Sequence, residues 1–163
     1  MEAGASRRVR WASVALAGLI GATIGGAAWS RVGAEASPPA PAYLNADPQS
    51  GAPYSDAVRT GSMLYLAGNL GLDQDGKLVP GGITAEADRM LQNLKASLEK
   101  NGSSMDRVVS CLVMLADIRD RDALNDVYKK YWAPGHFPAR SAFGTTGLYL
   151  GARVEISCSA VLR

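Results

Sequence analysis

The stretch "RVVSCLVMLADIRDRDALNDVYKKYW", Arg107 to Trp132, changes its hydrophobic period halfway along. Its first part, to Leu115, is a β-branched and apolar run with the length of a buried strand. From about Asp120 the apolar residues Leu124, Val127, Tyr128 and Tyr131 fall on one helical stripe, and that helix ends before Pro134-Gly135. A buried strand followed by a one-faced helix predicts a sheet with helices laid upon it.

Upstream, Ala87, Met90, Leu91, Leu94 and Leu98 recur at three- and four-residue spacing, which predicts a second amphipathic helix with Thr84 as N-cap and Gly102 just past its end. Before it, "DAVRTGSMLYLAG" reads as two short strands around Gly61-Ser62, with Met63, Tyr65 and Ala67 alternating against Leu64 and Leu66. Downstream, "RVEISCSAVL" puts Val154, Ile156, Cys158 and Ala160 on one face and Glu155, Ser157, Ser159 and Val161 on the other. The order strand, strand, helix, strand, helix, strand, strand gives an α+β fold with both helices on one face of the sheet. The other face, assigned Leu64 or Leu66 together with Val161, is left uncovered, so self-association is expected.

This fold occupies residues 53–163. Residues 1–36 have a different character: Arg7, Arg8 and Arg10 precede "WASVALAGLIGATIGGAAWS", which has no charge, and Arg31 and "AEAS" follow. That three-part pattern reads as an export signal, with cleavage after Ala36 or Ala28, and the adjacent arginines fit a twin-arginine route to the periplasm. An uncleaved anchor in the inner membrane is the alternative reading. Residues 37–52, "SPPAPAYLNADPQSGA", carry four prolines and no apolar period, the composition of a linker.

Residues 1–36 hold four of the 17 basic and two of the 15 acidic residues, so the remainder is formally neutral with 13 of each. Such a balance offers no surface for neutralising phosphates, and nucleic-acid binding is not expected. Cys111 and Cys158 lie in separate strand-like runs without a Cys-x-x-Cys pair, and His136 is the sole histidine, so no metal site is expected. A bridge between the two cysteines needs adjacent strands; buried thiols are the favoured reading.

Candidate chemistry centres on "FPARSAFGTTGLYLGARVEIS", Phe137 to Ser157. Arg140 follows an extended Phe-Pro-Ala approach and precedes small residues; its planar guanidinium grips a carboxylate through paired hydrogen bonds. Read locally, spacing favours an ion pair with Glu155 or an aspartate instead. Glu155 is the lone carboxylate after Asp126, either a general base or a solvated residue on a strand face. Tyr54 offers a hydroxyl but reads locally as a packed loop anchor, and Gly68 permits close backbone approach but equally suits a turn. His136 reads as a surface loop residue.

Together, "PYSDAVRTGSMLYLAGNLGLD", "NLKASLEKNGSSMDRVVSCLVMLADIRDRDALNDVYKKYW", "FPARSAF" and "VEISCSAV" resemble the Rid family of reactive intermediate deaminases, also called YjgF-type, from about Pro53 to Leu162. The resemblance implies a chorismate-mutase-like fold, a homotrimer with sites between subunits, and cofactor-free hydrolysis of enamine and imine intermediates to 2-keto acids and ammonia. It assigns carboxylate binding to Arg140 and water positioning to Glu155. Tyr54 from a neighbouring subunit, Gly68, Asn125 and Ala142 join as substrate contacts. Ala142 and Ala67 stand where many members carry Cys and Ser, which keeps open a non-catalytic trimer that binds small carboxylates or other proteins.

Overall fold

In the computed structural model, residues 39–45, 49 and 51–163 are described, so the segment 1–36 lies outside them. The chain forms β1 (Ala42–Leu44), β2 (Ala57–Thr60), β3 (Met63–Leu66), β4 (Asn69–Leu70), α1 (Gly82–Lys100), β5 (Val108–Leu115), α2 (Arg121–Tyr128), β6 (Ala139–Gly144) and β7 (Val154–Val161). Strand order is β1-β2-β3-β7-β5-β6, with β4 also paired to β7. All pairings are antiparallel except β5 with β6, so the sheet is mixed, and the α+β expectation holds.

The two helices share one face. Ala87, Met90, Leu91, Leu94 and Leu98 of α1 and Leu124, Val127 and Tyr128 of α2 are buried against Val113, Leu115, Val154, Ile156 and Ala160. Each large apolar side chain so buried contributes about 1.5–3 kcal/mol, which makes this layer the main source of stability. The close α1–β4 packing needs Gly71, where a Cβ would meet the backbone of Glu86 at 2.8 Å from Cα.

Four details differ from the sequence reading. Ala42–Leu44, inside the 37–52 linker, pair with Leu44 opposite Ala57 and form an edge strand. Helix α1 begins at Gly82 rather than after Thr84, because Gly81 and Gly82 take φ of 114° and 71° and turn the chain without a side-chain cap. Leu64 and Leu66 belong to the core, not the uncovered face, since Leu64 pairs with buried Ala160. Met63, opposite Val161, and Tyr65 take the outer face instead, joined there by Leu112 and Phe143. Finally, Cys111 and Cys158 are bonded rather than free. They are register partners across β5 and β7, both buried, with Cα atoms 4.1 Å apart.

Candidate active site

Arg140 sits on edge strand β6 opposite Cys111, so its side chain lies on the helix side of the sheet. There Nη2 donates to Oδ1 of Asn125 at 2.6 Å, and Cζ lies 4.4 Å from the Tyr128 ring centroid. Asn125 and Tyr128 are three residues apart on α2, so one helix face presents both. Among the described residues no carboxylate pairs with Arg140, which corrects the local reading of a structural ion pair. An amide oxygen orients the guanidinium without neutralising it.

Two polar atoms here lack a protein partner: Arg140 Nη1 and the Tyr128 hydroxyl are buried and unbonded. Burial pushes the Tyr128 phenol up to about 12 despite the opposing charge of Arg140, so it stays a neutral donor. Tyr128 is held from behind by stacking on Trp132, with centroids 4.1 Å apart. Asn125, Tyr128, Lys129, Phe137, Pro138 and Arg140 line a cavity of about 340 Å³. A fixed cation beside unpaired donors and apolar walls suits a small carboxylate.

Ala142 lies on the same face of β6, two residues beyond Arg140, but packs against the core rather than lining this cavity.

Glu155 points the other way. On β7 it stands opposite Leu70 of β4 and Met114 of β5, on the outer face of the sheet. Its side chain folds over Gly68, where an added Cβ would overlap Oε1 and stand 2.9 Å from Cδ. Tyr54, Ala67, Gly68, Leu70, Tyr149 and Glu155 line a cavity of about 550 Å³. Its floor is pinned by Asn69 Nδ2 donating to the Ala67 carbonyl at 3.0 Å and Ser157 Oγ donating to the Leu66 carbonyl at 2.9 Å. Tyr54 is 64% exposed, so it is not the packed anchor that its proline neighbour suggests.

One chain therefore carries the candidate residues in two separate groups. Arg140 and Asn125 meet on the helix side; Tyr54, Gly68 and Glu155 meet on the outer side. Glu155 is in register with Met114 and, through it, with Phe143, which lies three residues beyond Arg140. Two strand spacings and three residues put roughly 10 Å in each direction between the two groups, with the sheet intervening. Sequence reading assigned Tyr128 only to a core stripe and passed over Phe137 and Tyr149. The Asn125-x-x-Tyr128 spacing is the available signal for the first, and the Phe-Pro-Ala approach to Arg140 for the second; nothing in the sequence marks Tyr149.

Residues 44–162 match the family model described as endoribonuclease L-PSP. A goat 2-iminobutanoate/2-iminopropanoate deaminase is 46% identical over 110 residues, covering 67% of this chain and 80% of that protein. The crystal structure of yeast Mmf1 superposes with a TM-score of 0.66 at 32% identity, covering 74% of this chain and 94% of that one. A bacterial RidA from Antarctic Psychrobacter gives 0.65 at 32% identity, with the same 74% and 94% coverage.

Proposed function

We propose, from the premise that this chain belongs to the Rid (YjgF-type, endoribonuclease L-PSP) family, that it hydrolyses the imines of 2-amino acids to 2-keto acids and ammonia. The observation that carries the reading is Arg140, oriented by Asn125, unneutralised and beside an open cavity. The deaminase names of relatives such as the goat protein support the same reaction.

Arg140 binds the substrate carboxylate, with Nη1 and the Tyr128 hydroxyl gaining the acceptors they lack. Glu155 accepts a proton from a water as that water attacks the imine carbon, and passes it to the nitrogen to give a tetrahedral amino alcohol. Glu155 then moves the hydroxyl proton to the nitrogen as the C–N bond breaks, which releases ammonia, leaves the keto acid and restores the carboxylate. Fixing both reactants in one geometry supplies much of the rate.

Both half-sites belong to one reaction only if separate copies face each other. A ring of identical chains places the Arg140 side of one protomer against the Glu155 side of the next, closing by head-to-tail contact. We take that ring to be a homotrimer, and the outer-face Tyr65, Leu112 and Phe143, each 41–47% exposed, support burial against a neighbour. The bonded Cys111–Cys158 pair suits an oxidising compartment and supports export through residues 1–36.

Generating imines with an amino-acid oxidase and following ammonia release tests the reaction. The Arg140→Ala variant should lose most of the acceleration while keeping its oligomeric state. A 2-keto acid that stabilises the protein thermally while imine lifetime stays at its buffer value would favour the non-catalytic binder instead.

A further inference from the structure

Resting on the imine-hydrolase reading, we infer that Tyr149 selects the substrate's side chain and that the site prefers imino acids with aromatic side chains. Tyr149 opens the 3-10 turn Tyr149–Gly151 and lines the Glu155 cavity together with Tyr54. It is 70% exposed, so its ring has little packing within its own chain, unlike Tyr128 stacked on Trp132.

The backbone beside it is in an unfavourable state. Leu150 has φ 58° and ψ 12°, the sole non-glycine residue with positive φ among the described residues. A side-chain-bearing residue adopts that conformation at a cost in stability. The turn is held by Gly151 N–H donating to the Leu148 carbonyl at 3.0 Å and Ala152 N–H to the Tyr149 carbonyl at 3.1 Å. Buried Ala152 and Val154 anchor its far end. The turn thereby fixes where Tyr149 leaves the chain.

The lining sets the substrate class. Two exposed phenols, Leu70 and Ala67 line this cavity with one carboxylate, and no Lys or Arg among the described residues of the chain does. An acidic side chain would lie beside Glu155 with no cation from the same wall of the site, since Arg140 of the facing copy is already taken by the substrate carboxylate. A small imine would leave much of the roughly 550 Å³ to water. A flat apolar group can contact the exposed Tyr54 and Tyr149 rings, where ring contacts add to simple burial.

The test compares phenylalanine-derived with alanine-derived imines in the wild type, Tyr149→Phe and Tyr149→Ala, checking thermal midpoints alongside. The wild type is expected to favour the aromatic imine in kcat/KM by about tenfold, and Tyr149→Phe to keep that ratio. Tyr149→Ala is expected to lower kcat/KM on the aromatic imine about tenfold more than on the other. A wild type that prefers the small imine, or a ratio untouched by Tyr149→Ala, overturns this inference alone. Inactivity of the wild type on both imines overturns the hydrolase reading, and this with it.

Discussion

The carboxylate of Glu155 rests on the bare Cα of Gly68, in space that any side chain would take. The Gly68→Ala variant is therefore expected to fold, because the displaced group is the free end of a side chain and costs about 1 kcal/mol or less. Its imine hydrolysis should fall to the level of Glu155→Gln. Parallel denaturation and ammonia-release measurements check both halves of that statement.

Arg140 should tolerate no conservative replacement. Losing a preorganised charge contact costs about 10²–10³ in rate, so Arg140→Ala is expected to fall by that factor in kcat/KM. Lysine presents a point charge rather than a fork and lacks the planar contact with Tyr128, so Arg140→Lys should recover little of it. The Asn125→Ala variant leaves the guanidinium charged but unoriented and should fall less than either. Steady-state kinetics on one imine ranks the three.

The cross-strand bond between Cys111 and Cys158 closes a loop of 47 residues. Opening it, by reduction or by Cys111→Ser with Cys158→Ser, should lower unfolding free energy by about 2–4 kcal/mol. Denaturant midpoints with and without reductant measure this. Purified protein should release no titratable thiol on unfolding until reductant is added.

Tyr128 gives a pH signature. Its phenol ionises near 12 when folded because of burial, against an ordinary value of 10.0. The stability this contributes is fully present below about pH 10 and is lost as pH rises towards 12. In Tyr128→Phe, which removes a buried hydroxyl that has no partner, stability at neutral pH should change by about 1 kcal/mol or less. The alkaline loss of stability should shrink in that variant, read from unfolding curves across this pH range. Tyr131, also raised to about 12 chiefly by burial, adds a loss over the same range.

The fold was legible where periodicity is strong. The alternation in Val154–Val161 and the stripes of α1 and α2 reflect one buried face each, and burial follows them with Glu86 of α1 as the exception. Which way β3 faces was not legible, because Met63, Tyr65, Leu64 and Leu66 are all apolar and only pairing with β7 decides. The cysteine bond was hidden for the same reason, since it depends on register between strands 47 residues apart. Local spacing favours an ion pair for Arg140 and leaves Glu155 open between a general base and a solvated strand residue; family resemblance alone gives both their roles. Their placement on opposite faces follows from the parallel β5–β6 and antiparallel β5–β7 pairings, which no local spacing encodes.

The composite site is most directly tested by mixing protomers. Arg140→Ala and Glu155→Gln chains are each expected to be nearly inactive alone. If they are unfolded together in equal amounts and reassembled, the proposed homotrimer has one site with both groups intact in every mixed assembly, so about a quarter of wild-type activity should return. Mixed oligomers that form, as shown by differently tagged chains copurifying, yet remain as inactive as either parent would contradict a site shared between neighbouring copies.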